Sequence, residues 1–140
     1  MSVQGTLSLQ TVAGTGLLVE ARFASGKTTQ FDSGPDAIVP NPVETLLGAL
    51  AACEAMDVIC ILRKKRIDVT AYSVEMHGER AEAPPRRYTS ITLTHRVTGP
   101  AVPRDAVEEA VRLSDEKYCS VRHTLDPELA VTSRVEIIEG

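Results

Sequence analysis

The chain carries 140 residues, 43% hydrophobic and 24% charged, with 15 Lys and Arg against 19 Asp and Glu for a formal charge of -4. That length suits one domain, residues 1–140, able to bury roughly two thirds of its unfolded surface, and the acidic balance argues against nucleic acid or an anionic membrane as partner. The opening Met1-Ser2-Val3-Gln4-Gly5-Thr6 lacks the basic and apolar regions of a secretory signal, and no apolar stretch reads as long enough to cross a bilayer, so the expected address is the cytoplasm.

In chain order, Val3 to Gln10, Gly16 to Phe23 and Lys27 to Phe31 read as a three-stranded meander, with Ala13-Gly14 and Ser25-Gly26 at the turns. Ala21 to Thr28 also satisfies a relaxed phosphate-loop pattern. The residues after Lys27-Thr28 are strand-like, whereas a phosphate loop must open a helix there, so a hairpin turn is the reading. Asn41 as N-cap and Pro42 at the first helical position then start a helix that runs through Leu46, Leu50, Cys53, Met56 and Leu62 to the basic end Arg63 to Arg66. Apolar residues surround nearly its whole circumference, which predicts a central, buried helix. Asn41 to Glu44 has the spacing of a capping box.

Ile67 to Arg80 and Tyr88 to Thr98 alternate as strands on either side of Pro84-Pro85 and are expected to pair as a hairpin, with Ile91, Leu93, His95 and Val97 on one face. Pro103 opens a second helix that turns Ala106, Val107, Ala110, Val111 and Leu113 to the core, Cys119 lies where it stops, and Leu129 to Ile138 closes the chain as a strand. Elements in this order do not repeat as βαβ units, so the class is α+β with a largely antiparallel sheet.

Three cysteines are too few and too odd in number for a disulfide framework, and in a reducing compartment a pair points to catalysis or metal. Cys53 and Cys119 sit on or after helices that bury apolar faces in one small core, which makes contact between them plausible. Cys60 is seven residues after Cys53 on one helix, about 10.5 Å along the axis, beyond the roughly 7 Å that a disulfide tolerates. It reads as a small core residue. Cys119 and His123, four apart, with Cys53 form a zinc alternative that lacks a fourth ligand. His95 reads as a hydrogen-bonded core or interface residue and His77 as a surface one. Asp57, four residues after Cys53, is placed either beside the thiol or against a cation.

Asn41-Pro42-Val43-Glu44-Thr45-Leu46-Leu47-Gly48-Ala49-Leu50-Ala51-Ala52-Cys53, followed by Met56-Asp57-Val58 and later by Glu116-Lys117-Tyr118-Cys119-Ser120-Val121, resembles the OsmC/Ohr family of osmotically inducible and organic hydroperoxide resistance proteins. The resemblance covers essentially the whole chain and is closest to the OsmC-like branch with a Cys-x-x-Met-Asp helix. It implies an intertwined homodimer in which a largely antiparallel sheet wraps around central helices, with active sites at the subunit interface. The implied activity is a thiol-dependent peroxidase that reduces organic hydroperoxides in oxidative stress defence, needing no cofactor or metal. Cys53 matches the peroxidatic cysteine and Cys119 the resolving one, and an external, lipoyl-type dithiol would reduce their disulfide. The chain departs from the family where Val43 occupies the position of its helix-start glutamate. Glu44, one residue later, and Arg22, the one arginine of the amino-terminal third, are the candidates for polarising the thiol. These departures keep open a second reading, an OsmC-fold small-molecule binding protein without efficient peroxidase turnover.

Overall fold

Three short antiparallel strands open the chain: β1 (Gly5–Leu9), β2 (Val19–Phe23) and β3 (Thr28–Phe31), in the order β1-β2-β3. Gly26, at φ 85°, makes the β2–β3 turn: its N–H donates to the Phe23 carbonyl at 2.9 Å, and Phe23 N–H donates to the Lys27 carbonyl at 2.9 Å. The segment that mimics a phosphate loop is therefore a hairpin, as its flanking residues require. The computed structural model describes residues Met1–Gly140, which form two compact units, Met1–Leu46 and Leu47–Gly140.

Helix α1 (Pro42–Lys64) begins where the cap residues place it. Glu44 N–H donates to Asn41 Oδ1 at 2.8 Å, and Asn41 N–H donates back to Glu44 Oε1 at 3.3 Å, a closed capping box. At the other end Arg66 takes φ 57°, which lets its N–H reach the Arg63 carbonyl and Ile67 N–H reach that of Leu62, ending the helix in a left-handed cap.

Two expectations for α1 need correction. Its buried residues are Leu50, Ala51, Glu54, Val58 and Leu62, a single stripe, while Met56 is 66% exposed and Cys60 is exposed rather than in the core. The cause is that only one face meets the sheet. Moreover, its 23 residues, with mean hydropathy 1.9 over the most apolar stretch, are long and apolar enough to cross a membrane by length and composition. The buried stripe, however, is filled by protein contacts.

In the second unit β4 (Ala71–Arg80) pairs antiparallel with β5 (Tyr88–Gly99), as the alternation predicts. Helix α2 (Arg104–Leu113), a π-helical turn (Ser114–Tyr118) and the short α3 (Ser120–Thr124) follow. They lead to β6 (Ala130–Glu139), which pairs with β5 in parallel. That one pairing departs from the antiparallel rule because the helical crossover returns the chain to the end of the sheet at which β5 began. Ile91, Leu93, His95 and Val97 of β5 are buried, the face chosen by periodicity. The three apolar ones divide between two clusters. One joins Leu50, Ala51, Ile91, Leu93, Cys119 and Leu129; the other joins Val58, Leu62, Val97, Val107, Ala110 and Val111.

Candidate active site

Cys53 lies one turn after Leu50 on α1, half-buried against the first cluster, of which the fully buried Cys119 is a member. Both are free thiols, and they share one core cluster, Cys119 inside it and Cys53 packed against it. Local structure holds Cys119 firmly. The π-helical turn closes with Cys119 N–H donating to the Ser114 carbonyl at 2.7 Å, after which the chain extends and Cys119 becomes the N-cap of α3, its Sγ accepting from Arg122 N–H at 3.3 Å. Buried Ser114 in turn donates its hydroxyl to Asp57 Oδ2 at 2.8 Å. The segment that carries Cys119 is thereby tied to α1 one turn beyond Cys53, which fixes the register of the two sulfurs and gives Asp57 a partner other than the thiol.

Burial pushes the Cys119 thiol up to about 12, against 9.0 for the free group; the Arg122 N–H works the other way, and Cys53 and Glu54 add to the rise. Cys119 therefore keeps its proton at neutral pH. A sulfur pair in which one partner stays a thiol beside a more exposed one has the arrangement that two-step thiol oxidation needs.

Next to this pair lies a buried polar chain. Glu54 and His95 have fully buried side chains; Glu54 Oε1 is 3.2 Å from His95 Nε2 and accepts from the Ser133 hydroxyl at 3.1 Å. His95 Nδ1 is 2.7 Å from the Tyr72 hydroxyl, with the two rings stacked at 6.0 Å. An imidazole that donates from Nε2 and accepts at Nδ1 satisfies both contacts. Burial, and then the Glu54 carboxylate, hold the Tyr72 phenol well above its ordinary range. Tyr72 also lines a cavity of about 260 Å³ between α1 and β4, together with Ala52, Ala55 and Met76. Glu54 Oε2 and Asp115 Oδ1 have no hydrogen-bond partner, although Asp115 Oδ1 lies 3.7 Å from Arg122 Nε. The Asp115 carboxyl is raised by burial and by Glu54, with Arg122 opposing.

His95, expected as a hydrogen-bonded core or interface residue, is a core residue in this chain, and the sequence reading missed Glu54. The signal was present: Leu50, Glu54, Val58 and Leu62 repeat every four residues along one stripe of α1, so a carboxylate occupies a core position opposite a histidine on the apolar face of β5.

The other candidates are distributed. Glu44 is engaged in its capping box. Arg22 stands on β2 with its side chain 66% exposed, 3.4 Å from Glu20. His77 is exposed and pairs with Glu79. His123 is exposed at α3, and no three histidine, cysteine or carboxylate groups come together as a metal cluster.

Residues 34–134 match the family model described as OsmC-like protein. Protein YhfA of Escherichia coli strain K12 is 39% identical over 123 residues, 88% of this chain and 92% of that one. The crystal structure of a hypothetical protein from Aquifex aeolicus VF5 is 29% identical and superposes with TM-score 0.83, covering 100% of this chain and 98% of that one. At 16% identity, the organic hydroperoxide resistance protein OhrB of Bacillus subtilis shares the fold, with TM-score 0.64 over 95% of this chain and 98% of its own. The protein belongs to the OsmC-like family.

Proposed function

We propose that this protein is a thiol-dependent peroxidase that reduces organic hydroperoxides in oxidative stress defence, with Cys53 as the attacking sulfur and Cys119 as the resolving one. The observation that carries this reading is the packing of two free thiols in one core cluster, Cys53 half-buried at its edge and Cys119 fully buried inside it. The shared fold with an organic hydroperoxide resistance protein supports it.

The Cys53 thiolate attacks the distal oxygen of the hydroperoxide. A sulfur–oxygen bond forms, the oxygen–oxygen bond breaks, and the alkoxide leaves as an alcohol after taking a proton, so that sulfur is oxidised and peroxide reduced. Cys119 then attacks the sulfenic sulfur; the disulfide bond forms and the hydroxyl departs as water with the Cys119 proton. An external dithiol restores both thiols by exchange. The same reading places two copies of the chain in a homodimer in the cytoplasm, with the exposed face of α1 around Met56 covered by the second copy.

Titration of free thiols after one equivalent of an organic hydroperoxide tests the chemistry. Two of the three thiols are expected to disappear, peptide mapping is expected to find a Cys53–Cys119 disulfide with Cys60 still reduced, and Cys53→Ser is expected to consume peroxide no faster than buffer. A folded protein whose Cys53 stays reduced would leave the binding-protein reading in its place.

A further inference from the structure

A carboxylate in the core needs a reason. Glu54 is fully buried, holds His95 and Ser133 through one oxygen and leaves the other without a hydrogen bond, an arrangement that costs folding energy which an apolar or neutral side chain of similar volume would not. Its position is informative. It lies four and three residues after Leu50 and Ala51, hence on the helix face that those residues pack against Cys119. Cys53, its neighbour in sequence, points about 100° away around the helix and is only half-buried.

We propose that Glu54 is a positioning residue for the sulfur pair: locked by His95 and Ser133 on the face of α1 that packs against Cys119, its carboxylate assigns the first attack to Cys53 and keeps Cys119 in reserve for resolution. A fixed anion acts more strongly on a group that shares its water-free interior than on one that solvent reaches. One buried and two half-buried neighbours register that charge: burial first, and Glu54 in addition, makes the Cys119 thiol, the Tyr72 phenol and the Asp115 carboxyl harder to ionise. The other ionisable groups around the pair are Asp57 on α1, His95 on β5 and Arg122 on α3; Asp57 is bonded to Ser114, His95 to Glu54 and Tyr72, and the Arg122 guanidinium faces Asp115 and the Asp126 and Leu129 carbonyls. The Arg122 side chain is thus occupied elsewhere, and only its backbone N–H meets the sulfur. The assignment takes its meaning from the peroxidase reading, and its central test needs no peroxide.

Carbon-13 NMR of Cβ-labelled cysteine follows each thiol with pH, and comparison of wild type, Glu54→Gln and Glu54→Asp separates charge from packing. Glu54→Gln keeps the Ser133 contact and removes the charge; the Cys119 midpoint is expected to fall by about one pH unit, which is tenfold more thiolate at any lower pH. Glu54→Asp keeps the charge and is expected to keep the wild-type midpoint. An unchanged midpoint in Glu54→Gln, or an equal fall in both variants, would overturn the proposal. So would a wild-type Glu54 carboxyl signal that is protonated at neutral pH, a measurement that holds even if Glu54→Gln does not fold. With an organic hydroperoxide, trapping of the Cys53 sulfenic acid by dimedone is expected to drop severalfold in Glu54→Gln because resolution is faster. A wild type that consumes no hydroperoxide sinks the peroxidase reading, while the NMR titrations still decide the effect of Glu54 on Cys119.

Discussion

The two halves of the buried stripe of α1 do different work with the same spacing. At the carboxyl-terminal half, Val58 and Leu62 meet Val97, Val107, Ala110 and Val111, a cluster whose buried members are hydrocarbon alone. At the amino-terminal half, Leu50 and Ala51 meet Ile91, Leu93 and Leu129, but the cluster also takes in Cys119, Cys53 packs on its edge, and Glu54 follows within one turn. A dry core tolerates a thiol at little cost, because it packs like a small hydrophobe. It does not tolerate a carboxylate without fixed partners, which β5 and β6 supply as His95 and Ser133. The difference teaches that one helix here carries plain apolar packing at one end and the sulfur pair with its buried carboxylate at the other, so each can be perturbed separately.

The largest expected separation comes from pairing one substitution in each half. Leu62→Ala empties a fully buried site and is expected to lower unfolding free energy by about 2–5 kcal/mol in urea titration, while the folded fraction still forms the disulfide with peroxide. Cys119→Ser keeps an oxygen that accepts from Arg122 N–H and is expected to cost far less stability, yet to leave Cys53 as a sulfenic acid that dimedone captures. A Leu62→Ala protein that folds but no longer forms the disulfide would show that the two halves are coupled through the helix.

A smaller effect follows from pH. Cys119 ionises near 9.0 when free and only toward about 12 when folded, so between those values the unfolded chain holds fewer protons than the native one. By linkage its contribution to stability is complete below pH 9 and is lost as pH rises toward 12. From pH 9 to 10.5 the loss is on the order of 2 kcal/mol, and Cys119→Ser is expected to lack it. Equal slopes for the two proteins over that interval would place the alkaline weakness in another group.

What was legible in the sequence followed from local rules. Asn41, Pro42 and Glu44 announce a helix start through backbone hydrogen bonding that involves no distant residue, and the strand-like residues after Lys27-Thr28 suffice to reject a phosphate loop. The two sulfurs were legible through motif resemblance, since 66 residues separate them and no periodicity brings them together. What escaped depends on tertiary arrangement. The parallel entry of β6 is set by the path of the crossover, not by its own alternation. The exposure of Met56 and Cys60 reflects how much of α1 a three-stranded sheet can cover, which composition around a helix does not encode. Glu54 was missed because a single glutamate in an apolar helix looks like a solvated position until the histidine opposite it is considered.

The smallest expected effect concerns the other end of α1, where Glu44 has a visible task and a second one implied by resemblance. The capping box uses a side-chain oxygen that glutamine also has, whereas polarising a thiol uses the negative charge. Glu44→Ala is therefore expected to lose about 0.5–1 kcal/mol in urea titration, and Glu44→Gln only a few tenths. If capping is its whole role, both variants consume hydroperoxide at the wild-type rate per folded molecule. A tenfold slower Glu44→Gln with stability retained would instead assign the charge to the chemistry. Arg22→Ala, which removes an exposed partner of Glu20, is the matched control: it is expected to change stability by less than about 0.5 kcal/mol, so a loss of peroxide consumption in that variant would identify Arg22 as the cation of the sulfur site.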